Sequence, residues 1–229
     1  MKKLLAILLT LAMVLSLGVC AFAEGDVAEK KDEEEEEAAE PVFADFAPNA
    51  DYDVWTLVEY EIADIGAEFV CTVSANEDLT EFYLECNFYG DDQMTKSTYD
   101  GENFEVVEDL TGFMGGDTPN VLNMALEQDI WLPMPEFDPN EDYGYFTTVD
   151  YEIEDIGAEF VCTVSANEEF EEFYLECNFY GDDQMTKSTY DGENFEVVED
   201  LTGFMGGDTP TILGNAIEVN FWAPVVPAE

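Results

Sequence analysis

Part of this chain is written twice, and that constrains its fold more than any other feature. Residues 82–119, FYLECNFYGDDQMTKSTYDGENFEVVEDLTGFMGGDTP, recur unchanged at 173–210, an offset of 91. Looser likeness continues on both sides at the same offset. FAPNADYDVW at 46–55 matches FDPNEDYGYF at 137–146, and TPNVLNMALEQDIWLP at 118–133 matches TPTILGNAIEVNFWAP at 209–224. Whatever fold the first copy adopts, the second must adopt too. Two units follow, 46–136 and 137–229, joined by a Pro-rich link at Pro133, Pro135 and Pro139. A unit of this length holds a modest core of its own. Such near-identity reads as a recent duplication, so repetition does not single out the residues that matter.

Within a unit the dominant period is two. Phe69, Cys71, Val73 and Ala75 alternate with Glu68, Val70, Thr72 and Ser74, and Phe82, Leu84, Cys86 and Phe88 alternate with Tyr83, Glu85 and Asn87. That is the pattern of half-buried strands, with Asn76-Glu77-Asp78 as the turn between them. Pairing Ala75 with Phe82 sets Val73 opposite Leu84, Cys71 opposite Cys86 and Phe69 opposite Phe88, so all eight face one way. Val54–Ile62 reads as a first strand that turns at 63–66. After a turn at Gly90-Asp91-Asp92, Met94–Tyr99 reads as a further strand. Asp100-Gly101 is a hairpin signal, leading into Phe104–Leu110. Gly112 to Gly116 breaks the pattern. Asp117-Thr118-Pro119 then starts a helix with Val121, Leu122, Ala125 and Leu126 on one face. The expected fold is mainly β: two tandem antiparallel β-meander units of about five strands, each closed by a short α-helix. Separate barrels and one shared sheet both satisfy this pattern.

The first residues read as a signal peptide, 1–23. Lys2 and Lys3 precede an apolar run from Leu4 to Val19, and Ala21-Phe22-Ala23 suits cleavage before Glu24. As a membrane anchor the run is short of the ~20 residues a bilayer needs. As a lipoprotein signal it has Val19 where a small residue belongs before Cys20. The segment resembles the secretory leaders of Gram-positive anaerobic bacteria, which implies a secreted, extracellular protein. Residues 24–45, with the run Glu33 to Glu37, have no core-forming pattern and read as an acidic, disordered leader.

Charge excludes several functions. The chain carries 55 Asp and Glu against 6 Lys and Arg, with no His, for a formal net charge of −49. Nucleic acid is excluded as a partner, because the few cations cannot neutralise phosphates against so many carboxylates. An anionic membrane surface is repelled in the same way. Cations, basic proteins and neutral glycans remain as partners. Without His, the chain lacks both the commonest acid–base group and the commonest metal ligand.

Three sets of residues are candidates for more than folding. Cys71 and Cys86, and Cys162 and Cys177, stand opposite one another across strands, and disulfides and buried free thiols are both open readings. The turns collect carboxylates: Asp64 with Asp91 and Asp92, and Asp155 with Asp182 and Asp183. Such oxygens suit calcium, and good turn chemistry explains them equally well. Asp138-Pro-Asn140-Glu-Asp142 spaces oxygens like the start of an EF-hand loop, but lacks the loop's later residues. Finally, Tyr83, Glu85, Asn87 and Tyr89, with Tyr174, Glu176, Asn178 and Tyr180, form one polar strand face in two copies. That face could grip a ligand with doubled avidity, or could simply be covered.

No catalytic pattern stands out. The Gly-rich loop at Gly112 lacks the Lys of a phosphate-binding loop, and no base is present to activate Ser or Thr. The expected function is therefore a secreted, non-enzymatic tandem β protein that presents two copies of a binding surface. An acidic calcium-binding or cell-envelope structural protein is the alternative, and an acidic hydrolase a remote third.

Overall fold

The computed structural model describes residues 41–111, 116–153, 156–202 and 207–226. The expected signal peptide and most of the acidic leader lie outside them. The first unit runs β2 (Val54–Ile62), β3 (Ala67–Ala75), β4 (Glu81–Phe88), β5 (Asp91–Tyr99), β6 (Phe104–Asp109), α1 (Thr118–Leu126) and β7 (Leu132–Pro133). The second runs β8 (Tyr145–Ile153), β9 (Ala158–Ala166), β10 (Glu172–Phe179), β11 (Asp182–Tyr190), β12 (Phe195–Asp200), α2 (Thr209–Val219) and β13 (Phe221–Pro224). A short β1 (Val42–Phe43) precedes both. The units form two separate sheets, ordered β6-β5-β4-β3-β2-β7 and β1-β13-β8-β9-β10-β11-β12. The question of barrels or a shared sheet is thus answered: two open meanders.

The expected register holds. Ala75 pairs with Phe82, Val73 with Leu84 and Cys71 with Cys86. The ladder stops there, yet Phe69 and Phe88 still meet edge to face, with centroids 5.4 Å apart. One turn lies elsewhere than expected. β5 begins at Asp91, and the connection from β4 is Tyr89-Gly90, both at positive φ (53° and 91°). A two-residue loop with both residues left-handed matches the twist of the strands it joins. Each unit also gains a short strand, β7 or β13, beside its first strand. A two- to four-residue strand ending in Pro carries no alternation to find, and Pro is tolerated there because the strand is short and marginal.

Helix and sheet share one core. Val121, Leu122 and Ala125 are fully buried against Val58, Cys71, Val73, Phe82, Leu84 and Cys86. The helix starts at Asp117 with Pro in its first turn, as the sequence suggests. The Asp117 side chain does not cap it; its carboxylate instead accepts a bond of 3.4 Å from the Tyr60 hydroxyl.

The opposite sheet faces are joined around β2 and β8. Trp55 to Val58 and Phe146 to Val149 are each four consecutive buried residues, because both faces of these strands are covered. Trp55, Leu57, Leu132, Phe146, Ala223 and Ala44 form a third apolar cluster that spans the two repeats. The Pro133 carbonyl accepts from Trp55 Nε1 (3.2 Å) and from Thr148 Oγ1 (2.7 Å), one donor from each repeat.

β1 lies inside the stretch expected to be a solvated leader up to Asp45. It pairs in parallel with β13, with the Val42 and Ala44 amides donating to the Asn220 and Trp222 carbonyls, each at 2.9 Å. Phe43 packs on Tyr145 (4.7 Å) and Phe170 (5.6 Å). The two repeats differ at this seat. Tyr145, Phe170 and Phe221 stand where the first repeat has Val54, Leu79 and Ile130. The aromatic surface that receives Phe43 thus belongs to the second unit alone. Phe43→Ala is expected to cost about 1 kcal/mol. Hydrogen exchange should speed up across Phe221–Ala223 while Trp131–Leu132 keeps its protection. Equal loosening of both segments would contradict a seat specific to the second unit.

Candidate functional site

The doubled strand face is largely occupied by the protein itself. Tyr83 is buried beneath Tyr52, with rings stacked at 6.1 Å, and Tyr174 lies likewise beneath Tyr143 at 6.2 Å. Burial first, and then Glu85, push the Tyr83 hydroxyl up to about 12, and Tyr174 beside Glu176 behaves alike. Asn87 holds the adjacent turn: its Oδ1 accepts from the Gly90 amide (2.9 Å) and its Nδ2 donates to Asp92 (2.7 Å). Asn178 repeats this with Gly181 and Asp183. Tyr89 and Tyr180 are not on the strand face. They sit at the turn tips, each 74% exposed.

The covering Tyr52 was missed in the sequence. It is placed by Asn49, whose amide donates to Ser74 Oγ (2.9 Å) while its Oδ1 accepts from the Asp51 amide (3.0 Å). The EF-hand-like stretch is the second copy of this turn. Asn140 donates to Ser165 Oγ and accepts from the Asp142 amide, each at 3.0 Å. The Pro-Asn-x-Asp-Tyr text common to both stretches was the available signal.

In the first unit the candidate metal ligands do not gather. Asp64 is exposed in the β2–β3 turn, while Asp91 and Asp92 are consecutive residues of β5. Successive strand side chains point to opposite faces. Asp182 and Asp183 are arranged alike in β11, and Asp155 lies outside the described residues. Among the described residues no three His, Cys, Asp or Glu are grouped to hold a metal ion.

Carboxylates crowd elsewhere, across β2 and β3. Glu61 stands directly opposite Glu68, and Glu152 opposite Glu159. Like charges in that position destabilise a sheet. In the first unit, Glu59, Glu61 and Glu68 line a cleft of about 380 Å³ with Tyr60, Phe69 and Val70. A second cleft of about 330 Å³ adjoins it between the β2–β3 and β4–β5 turns, bounded by Glu68, Phe69 and Tyr89. Ile65 is 56% exposed at the same end. In the second unit Asp150 replaces Glu59, and burial followed by repulsion from Glu159 raises its carboxyl above the ordinary range.

Each Cys pair is in register and fully buried, as thiols. No helix among the described residues is long and apolar enough to cross a membrane. Comparison with known proteins finds no matching family, no matching curated protein and no matching solved structure.

Carboxyl environments set an expected pH response. Burial raises Glu85 and Glu176, against a lowering hydrogen bond from Tyr83 and Tyr174. Asp100 and Asp191 are lowered by backbone amides in the Asp-Gly turns. A raised carboxyl holds more proton in the native state, so its effect on stability worsens as pH rises through the folded value. That loss is recovered as pH falls toward the ordinary range. Asp100 and Asp191 contribute in the opposite sense, and their share is lost only as pH falls through their lowered values. The melting temperature is therefore expected to rise from pH 7 to about 5 and to fall below about 3.5. Glu85→Gln with Glu176→Gln should flatten the upper limb. A melting temperature that drops steadily from pH 7 would contradict these assignments.

Proposed function

We propose that this is a secreted, non-enzymatic binding protein that presents two copies of a sheet surface bearing paired carboxylates to a basic protein partner. The observation that carries this reading is the pairing of like charges. Glu61 faces Glu68 across two strands, and Glu152 faces Glu159, with Val70 or Val161 beside them on the same sheet face. Such pairs cost a sheet stability unless a cation completes them. Lys and Arg side chains fit the arrangement, with the charge among the carboxylates and the apolar stem along Val70 or Val161. The protein has little to supply from within. Lys96 and Lys187 are the cationic side chains of the described residues, and they lie against Glu108 and Glu199 at 3.5 Å. Two such surfaces on one chain add avidity for a partner long enough to span them. Excess negative charge speeds the encounter with a basic partner and makes it sensitive to salt.

An oligolysine peptide serves as the probe. Binding is expected to weaken steeply with salt. Glu61→Gln with Glu152→Gln should lower affinity about tenfold while raising the melting temperature of the free protein, since each change relieves a repulsion of about 0.2–1 kcal/mol. Glu105→Gln with Glu196→Gln, on the far strands, should change affinity little. Equal loss in both double variants would mean that oligolysine answers only to net charge, and the proposed surface would fall.

A further inference from the structure

The hydrogen-bond ladders settle which kind of pair each set of cysteines makes. The Asn76 amide donates to the Glu81 carbonyl at 3.1 Å, so residues 76 and 81 are a hydrogen-bonded pair. Antiparallel pairs alternate in type. Counting along the register, Ala75–Phe82, Val73–Leu84 and Cys71–Cys86 are all non-hydrogen-bonded pairs. The other side of β4 agrees. A two-residue turn at Tyr89-Gly90 requires Phe88 and Asp91 to be hydrogen-bonded to each other, which directs the backbone of Cys86 toward Gln93 and away from Cys71. The second unit has the same arrangement, with Asn167 donating to Glu172 at 3.1 Å and Cys177 opposite Cys162.

Non-hydrogen-bonded pairs bring Cα atoms to ~4.5 Å, the close pairing of an antiparallel sheet. A disulfide accepts Cα separations of ~4.4–6.8 Å, so the backbone is already set at bridging distance. We propose that Cys71–Cys86 and Cys162–Cys177 are two intra-unit cross-strand disulfide sites, closed during folding in an oxidising compartment. The chemistry is thiol–disulfide exchange with a small-molecule disulfide. One thiolate attacks it, forming a mixed disulfide and releasing one thiol. The second thiolate then displaces the remaining half. Each pair gives up two protons and two electrons, and the oxidant leaves as two thiols.

The folded protein itself resists this step. Cys71, Cys86, Cys162 and Cys177 are fully buried, beneath α1 or α2. Cys71 is held well above the usual thiol range by its hydrogen bond to Cys86 and by burial, and Cys162 by Cys177 and burial. Thiolate, the reactive form, is scarce there. Bridges therefore form before the helix docks, and a protein folded in reductant stays reduced.

The distribution of lysines makes the test direct. Trypsin cleaves after Lys96 and Lys187, so one fragment carries Cys71 and Cys86 and another carries Cys162 and Cys177. The chain from Glu24 onward, which lacks Cys20, is to be unfolded in reductant, then refolded with a mixture of reduced and oxidised glutathione and alkylated in denaturant. Expected are no alkylated cysteine, an intact mass lower by one pair of hydrogens per bridge, and tryptic fragments that separate without reductant. The melting temperature should rise by several degrees, a gain that reductant abolishes. Cys177→Ala should leave one bridge and one alkylated thiol. Four alkylated cysteines after oxidative refolding, glutathione retained on the chain, or fragments that stay joined until reduced would each overturn the proposal.

Discussion

Everything in this molecule hangs from two strands that are buried on both faces. Val54–Ile62 and Tyr145–Ile153 each begin with a run of buried residues in place of alternation. One face of each packs beneath its own helix. The other meets the opposite repeat and the segment that links them. Trp55 and Phe146 lie 6.2 Å apart in that joint. Strands farther out in each meander have less cover, and β6 and β12 remain edges. Their Glu105, Glu108 and Asp109, with Glu196, Glu199 and Asp200, are the kind of charge that keeps an open edge from pairing with another chain. Burial and charge thus run in opposite gradients across each sheet.

A protein so acidic must place its carboxylates where they do least harm. Many take up turn chemistry: Asp100 receives two backbone amides, at 2.9 and 2.7 Å. Asn76 and Asn87 perform related work in neighbouring turns. The Glu61–Glu68 and Glu152–Glu159 pairs do not fit this pattern, because they oppose one another across strands and receive no lysine. They are therefore the features that folding alone explains least, and a basic partner would resolve them. The cysteines tell a separate story. Their closeness serves the core in either oxidation state, and only the order of events in folding decides which state persists.

Much of this was legible beforehand. The hairpin register followed from Phe82, Leu84 and Cys86 alternating against Cys71, Val73 and Ala75, because a one-residue slip would turn every one of them outward. Helix faces were legible from Val121, Leu122 and Ala125. The Tyr83 face was legible as a face, but not its cover. Tyr52 reaches Tyr83 from a loop, and loops impose no period on their residues. Tyr89 leaves that face for a related reason: a bulky residue at positive φ is uncommon, so the sequence points to a turn one residue later.

By itself, the sequence determined a twofold repeat, the five long strands and the helix of each copy, the facing of cysteines within each copy, and a strongly negative charge. These rest on local periodicity and composition, which act over a few residues at a time. Only the tertiary structure decided that the units form separate sheets, that Trp55 and Phe146 join them, and that Val42–Phe43 docks on the second unit. Those arrangements join segments far apart in the chain, where burial and shape select the partner and no repeating pattern announces it.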